Sequence, residues 1–114
     1  MSSDQIAEIA PGVREALADP RLCATFEISG DGEKWVQFHA GVVNAAYPHS
    51  DHPNTLLAAL DAVYALTAWE AGKFLTVTLA TNEARAIAKW IDRYFERVLA
   101  AEGDYAVDLR IEVV

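Results

Sequence analysis

Cysteine occurs once in this 114-residue chain, at Cys23. One thiol cannot form an intramolecular disulfide and cannot supply a cysteine-based zinc site, so neither device holds this fold together. Hydrophobic residues make up 53% of the chain, and a chain of this size can bury enough of them to fold by packing alone. We therefore expect a single domain over residues 1–114.

Basic residues are also scarce, and no two of them are adjacent in the sequence. Nine Lys and Arg stand against seventeen Asp and Glu, which gives a formal net charge of −8. General binding to nucleic acid backbones or to anionic membranes depends on a cationic surface that displaces counterions. The charge balance therefore argues against nucleic acid and against membrane as partners.

No apolar run approaches the ~18 residues that indicate a membrane span. The first residues, Met-Ser-Ser-Asp-Gln, contain neither the basic start nor the apolar core of a signal peptide. We therefore expect a cytoplasmic protein. Alanine is abundant and arginine outnumbers lysine six to three, a composition that favours a bacterial source.

Catalytic signatures are absent from the sequence. It contains no glycine-rich phosphate loop, no nucleophile elbow and no pair of carboxylates in a recognisable cleft pattern. An enzyme is therefore the less favoured interpretation, and we expect no cofactor.

Hydrophobic periodicity predicts the secondary structure. Residues 42–47 either prolong the second strand or form a third, and the pattern does not decide between the two. The other predicted elements are one or two short helices in residues 3–19 interrupted at Pro11-Gly12, strands at 22–28 and 35–42, a helix at 54–69 that is apolar almost all round, a strand at 73–80, a helix at 82–101 and a strand at 105–113.

Each predicted strand has one apolar face, and helices can cover only that side. The expected fold class is α+β: a two-layer sandwich with a mixed, mainly antiparallel sheet of four to five strands, helices packed on one face and the order α-β-β-(β)-α-β-α-β. The other face stays open, and the pattern leaves undecided whether Phe74 belongs to it. We predict that this open face is the binding surface and displays Thr25, Glu27, Trp35, Gln37, His39, Thr76 and Thr78.

The turn signal Gly30-Asp31-Gly32 joins the first two strands. A two-residue loop at Asp31-Gly32 would place Ile28 opposite Trp35 and mix the apolar and polar faces. A three-residue loop places Phe26 opposite Val36 and keeps one face apolar throughout. We therefore predict the three-residue loop and the register that follows from it.

Cys23 and His39 become neighbours in this register, with Glu27 one step along the same face. The three side chains are the ingredients of a thiol, a base and an orienting carboxylate. An activated thiolate needs an electropositive and sheltered position, whereas the surroundings here are acidic and flat. We therefore predict that Cys23 is a small packing residue rather than a nucleophile.

Residues 47–53 contain two of the three histidines between two prolines. His49, Asp51 and His52 are candidate metal ligands, because imidazoles three residues apart in a turn can share an ion. Zinc sites usually need three or four protein ligands, and His39 lies on a strand that need not point this way. We favour helix entry, with Asp51 as the N-cap and a proline in the first turn, and predict no metal.

Trp35 is the most informative residue of the open face. An aromatic side chain among Thr, Gln and His on an open sheet favours an interface, because such side chains are enriched where proteins meet. The alternatives are that a loop or the N-terminal helix shields Trp35, or that the register is off by one. The apolar helix at 54–69 likewise predicts either deep burial or a partner.

A short sequence pattern resembles a known family. Trp35-Val36-Gln37-Phe38 follows a glycine turn, the run Val42-Val43-Asn44-Ala45-Ala46-Tyr47 comes next, and an apolar helix is predicted from residue 54. Over residues 22–100 the chain is similar to the small α+β domains related to type III secretion chaperones. Members of that group are acidic, non-enzymatic dimers that bind extended segments of partner proteins, and the resemblance implies the same role here.

Two hypotheses follow for function. The favoured one is a non-enzymatic, chaperone-like domain that binds a protein partner or a second copy of itself as a homodimer. It would do so through the open sheet face, an edge strand or the helix at 54–69. The alternative is a small metal-dependent or small-molecule enzyme that uses His39, His49, Asp51 and His52.

Overall fold

The computed structural model describes residues 2–60, 62–102 and 104–114, without the side chains of residues 2 and 3. These residues form three helices and six strands. In chain order the elements are α1 (Ser2–Ala18), β1 (Leu22–Ile28), β2 (Asp31–His39), β3 (Val42–Ala46), α2 (Asn54–Ala58), β4 (Tyr64–Glu70), β5 (Phe74–Leu79), α3 (Ala84–Arg97) and β6 (Val107–Val113).

All six strands belong to one sheet, in the order β4-β5-β3-β2-β1-β6. Every neighbouring pair is antiparallel. The α+β class is confirmed, whereas the expectations of a mixed sheet and of four to five strands are wrong. Residues 42–46 form a separate third strand, and β4 and β6 are the two edges of the sheet.

The predicted helix at 54–69 is wrong, because the chain forms only the short α2 there and then enters β4. The register of β4 against β5 shifts between Leu66 and Ala68. As a result Leu66 pairs with Val77 and Trp69 pairs with Leu75, so two side chains three residues apart share one face of the sheet. A spacing of three is also the spacing of a helix face, so the bulge gave the strand a helical pattern.

The β1–β2 hairpin has the predicted register but a different loop. Phe26 lies opposite Val36, as predicted. Ile28 pairs with Asp31, so the turn consists of Ser29-Gly30, and the register shifts beside Ile28. Gly30 adopts a φ of +83°, a left-handed conformation that glycine adopts without steric cost. The residues of β2 between Asp31 and Trp35 are left without partners in β1 at this register shift, which keeps the apolar face of the hairpin intact.

α1 is one continuous helix through Pro11, not two short ones. A proline in a helix interior costs about 3 kcal/mol, but apolar burial on both sides of Pro11 offsets this cost. At Gly12 the helix closely approaches the sheet: a Cβ there would lie 2.9 Å from Leu109 Cδ1 and 3.1 Å from Phe26 Cε1. The buried side chains of α1 are Gln5, Ile6, Ile9, Ala10, Val13 and Ala16.

α3 and the last two strands are shorter than predicted. α3 begins after the N-cap Glu83 rather than after Thr81, although the Thr81 hydroxyl oxygen accepts a hydrogen bond from the Glu83 N–H at 3.1 Å. The helix ends at Arg97, β5 covers residues 74–79 and β6 begins at Val107. None of the described helices combines the length and the apolar character needed to cross a membrane.

The core lies between the helices and one face of the sheet, here called the inner face. α1 packs against α3, and the buried side chains of both join the inner-face residues in one cluster. Tyr94 of α3 is fully buried, and its hydroxyl donates to the Ala46 carbonyl at 2.7 Å. Residues of the inner face with no exposed surface are Ala24, Phe26, Val36, Phe38, Val43, Ala45, Leu75 and Val77.

Candidate interaction surface on the outer sheet face

The opposite face of the sheet, here called the outer face, carries a row of polar side chains across its width. In this row the Thr76 hydroxyl donates to Asn44 Oδ1 at 2.6 Å, and Gln37 Nε2 donates to Thr25 Oγ1 at 3.3 Å. Each of these two hydrogen bonds holds its pair of side chains in a fixed position on the strands. From β4 to β6, the paired positions of the row are Ala68, Thr76, Asn44, Gln37, Thr25 and Arg110.

A second row, beside the first, carries two aromatic residues. Phe74 pairs with Ala46 across β5 and β3, and Trp35 pairs with Glu27 across β2 and β1. Trp35 occupies the position next to the pair Val36–Ala45, so it comes beside Ala46. Trp35 and Phe74 are both half-buried, whereas Ala46 is buried. Two partly exposed rings therefore flank a small residue on an otherwise polar sheet.

The β6 side of the outer face is rich in charge. The Arg110 guanidinium lies 3.5 Å from Glu27 Oε1 and donates through Nε to Glu112 Oε1 at 2.9 Å. The hydrogen bond with Glu112 and the nearby charge of Glu27 raise the pKa of Arg110 above its usual value. Asp108 accepts a hydrogen bond from the Ser29 hydroxyl at 2.8 Å. Three carboxylates and one guanidinium thus form an acidic border.

All seven residues predicted for the binding surface occupy outer-face positions of β1, β2 and β5. Their exposure differs: Thr25 is only 2% exposed, Thr78 is exposed, and the other five are half-buried. Phe74, which the pattern left undecided, lies on this face as well. Sequence reasoning missed Asn44 and Arg110, although the alternation of polar Asn44 between Val43 and Ala45 is a local signal for its face.

Cys23, His39 and Glu27 do not assemble as a catalytic group. Cys23 is 8% exposed, and Glu27 is paired with Arg110. His39 Nε2 donates to the Pro20 carbonyl at 2.8 Å. Within the described ranges no hydrogen bond joins the thiol to the imidazole or to the carboxylate.

Residues 47–53, here called the histidine segment, form a corner between α3, β4 and the start of α2. His49 Nε2 donates to the Val98 carbonyl at 2.7 Å, which ties the corner to the end of α3. His52 packs edge-on against Trp69, with ring centroids 5.1 Å apart, and its Nδ1 accepts a hydrogen bond from the Asn54 N–H at 3.2 Å. The two histidines therefore bind different parts of the fold.

The expectation that Asp51 caps α2 is wrong. The N-cap residue is Pro53, and no side-chain hydrogen bond caps the helix. The Asp51 backbone carbonyl instead accepts a hydrogen bond from the Tyr47 hydroxyl. Burial, with a smaller contribution from the charge of Asp51, raises the pKa of Tyr47. Among the residues that the structure describes, no group of three or more His, Cys, Asp or Glu side chains is placed to hold a metal ion.

Comparison with known proteins assigns no function, so the fold and these contacts are the basis for the proposal below. No family model matches the chain, and neither the curated proteins nor the solved structures give a match.

Proposed function

We propose that this chain is a non-enzymatic protein-binding domain that presents its outer sheet face to a partner protein or to a second copy of itself. The observation that carries the proposal is the one-sided packing of the sheet. α1 and α3 both join the inner-face core. On the outer face Trp35 and Phe74 are only half-buried, so each ring keeps accessible surface even though Trp35 also packs against buried residues. Partly exposed aromatic rings within a polar surround are typical of protein interfaces.

The hydrogen-bonded row beside the rings supports this proposal. Two hydrogen bonds orient this row, one between Thr76 and Asn44 and one between Gln37 and the buried Thr25. A partner that contacts Thr76, Asn44 and Gln37 would therefore lose little side-chain entropy on binding. The half-buried rings would supply most of the binding energy, because a few large anchors usually dominate an interface. The polar row would fix how the partner is aligned on the sheet face.

The β6 edge extends this surface. β6 pairs with β1 along its full length. Its other side has no neighbouring strand in the described sheet, so a further strand can add there. Leu109, Val113 and Val114 are 41%, 74% and 67% exposed. The edge and the outer face adjoin at Asp108, Arg110 and Glu112, so one partner could contact both.

The resemblance to type III secretion chaperones also supports a protein-binding role, since members of that group bind extended segments of other proteins. It rests on the two short motifs at residues 35–38 and 42–47, because the apolar helix expected from residue 54 is only the short α2. Among the described residues, the histidines of the alternative enzyme hydrogen-bond to different parts of the fold. His39 and His49 donate to the carbonyls of Pro20 and Val98, and His52 accepts from Asn54. Each imidazole thus has its own structural role.

Site-directed photo-crosslinking in living cells tests the proposal. A benzophenone amino acid at Gln37, in the middle of the outer face, is expected to give a discrete protein adduct, either with a second copy or with one partner. The matched control is the same amino acid at Glu15, an exposed position of α1, which is expected to give none. Adducts at Glu15 but not at Gln37 would refute the outer face as the binding surface, as would no adduct at either position.

A further inference from the structure

α3 carries a line of cations that is unusual in so acidic a chain. Arg85, Lys89, Arg93 and Arg97 follow one another at intervals of four and hold four of the nine positive charges. Residues four apart lie on the same side of a helix. Within the described part of the chain none of these four side chains forms an ion pair; the ion pairs found there involve other cations.

A groove with a volume of about 360 Å³ lies beside this line of cations. One wall is apolar and contains Leu60, Val63 and Leu79, and the α3 wall contains Lys89, Trp90 and Arg93. Val63 is 76% exposed, so its apolar surface is open to a ligand in the groove. The groove therefore combines an apolar wall with two cations.

Arg93 and Trp90 form the middle of the α3 wall. Trp90 is 2% exposed and stacks on Tyr94, and its indole Nε1 is buried with no acceptor among the described residues. The indole N–H is therefore a buried reporter beside the groove, and Arg93 is the fixed donor that a ligand can reach. Arg93 Nη1 donates to the Leu60 carbonyl at 3.3 Å, which fixes the guanidinium at the groove. The remaining N–H groups of the guanidinium can still donate.

We propose that this groove binds a small amphipathic anion, with a carboxylate head at Lys89 and Arg93 and an apolar body along Leu60, Val63 and Leu79. The volume lies at the lower end of the range for small-molecule sites, about 300–1,000 Å³, which suits a short-chain acid better than a protein helix. The charge pattern agrees: a net charge of −8 repels large polyanions, whereas Lys89 and Arg93 attract a monoanion that enters the groove. This site is separate from the outer sheet face and does not depend on the function proposed for it.

Titration with octanoate, followed by the indole N–H signals in ¹H–¹⁵N NMR, tests the proposal. The signal of Trp90 is assigned by its loss in Trp90→Phe, and the signals of Trp35 and Trp69 report on the rest of the fold. A saturable shift of the Trp90 signal is expected with octanoate and not with octanol, which has a similar apolar chain but no charge. Equal shifts with both compounds would overturn the proposal, as would no saturable shift with octanoate.

A matched pair of variants tests the role of charge. Lys89→Gln removes a cation that lines the groove, whereas Arg85→Gln removes one from the same helix side outside it. Since a single partly exposed ion pair contributes modestly, Lys89→Gln is expected to weaken octanoate binding about fivefold, and Arg85→Gln to leave it unchanged. Both side chains are exposed, and unchanged thermal unfolding would confirm that the variants fold. An equal loss from both variants would indicate a diffuse charge effect and contradict a ligand seated in the groove.

Discussion

Replacing Tyr105 with Phe tests how the end of the chain is held to α3. The Tyr105 hydroxyl donates to Asp92 Oδ1 at 2.6 Å, and the two residues are 7% and 1% exposed. Burial and the adjacent carboxylate both raise the pKa of Tyr105, so the phenol remains a donor across the physiological range. Tyr105→Phe removes that donor from a buried oxygen that water cannot easily reach.

The expected cost follows from the burial of Asp92. A buried acceptor that loses its donor costs about 1–3 kcal/mol, and a buried charge left without compensation costs about 3–5 kcal/mol. The Phe ring avoids desolvation of a hydroxyl group, which offsets part of this. We expect a loss of about 3 kcal/mol in the free energy of unfolding and, for a domain of this size, a decrease of about 12 °C in Tm.

Urea unfolding near neutral pH, followed by circular dichroism, measures the loss. Tyr64→Phe is the matched control, because the Tyr64 hydroxyl donates to Asn54 Oδ1 at 3.0 Å in an exposed setting. The control should lose less than about 1 kcal/mol. A loss for Tyr105→Phe no larger than that of the control would show that the buried pair does not stabilise the fold and would refute this reasoning.

Two further predictions concern stability. Burial raises the pKa of Tyr94 and of Tyr105 above the unfolded value of 10.0, so the unfolded chain releases protons that the folded chain keeps. The contribution of these two residues to stability should be constant below that value and should fall above it by up to about 1.4 kcal/mol per pH unit for each residue. Urea unfolding at a series of alkaline pH values measures how steeply the free energy of unfolding falls with pH. Tyr94→Phe is expected to reduce this slope by the contribution of one proton, and an unchanged slope would contradict the prediction. Gly12→Val should lower the free energy of unfolding by about 2 kcal/mol, because the added side chain overpacks against Phe26. Ala7→Val, at an exposed position of the same helix, should lower it by less than about 1 kcal/mol. Equal losses on thermal unfolding would contradict the close approach of the helix to the sheet at Gly12.

Local periodicity predicted those elements in which one pattern extends without interruption. The β1–β2 register followed from alternation alone, because a slip by one residue would have exposed Phe26 and Val36. The pattern failed where a bulge interrupts β4, since Leu66 and Trp69 then mimic a helix face. It also failed at Pro11, because the burial that keeps α1 continuous depends on residues far away in the sequence.

The candidate surface was predictable in part for the same reason. Whether a side chain lies on the outer face depends only on alternation within its own strand, so Trp35 and Gln37 could be placed from the sequence. The completed polar row also includes Asn44 and Arg110, which depend on β3 pairing with β5 and on β6 pairing with β1. The groove beside α3 could not be foreseen, because one of its walls contains Val63, which leads into the strand that was predicted as a helix.

The yield of the Gln37 photo-adduct, compared among three versions of the chain, tests most directly whether the outer sheet face is a protein-binding surface. Trp35→Ala removes the half-buried ring, and Trp35→Phe keeps an aromatic side chain at the same position. Since loss of a central aromatic anchor costs about 2 kcal/mol or more, we predict that Trp35→Ala lowers the yield at least about tenfold. We predict that Trp35→Phe retains most of it. An adduct yield that is the same in all three proteins would contradict the proposal that Trp35 and the outer face bind a partner.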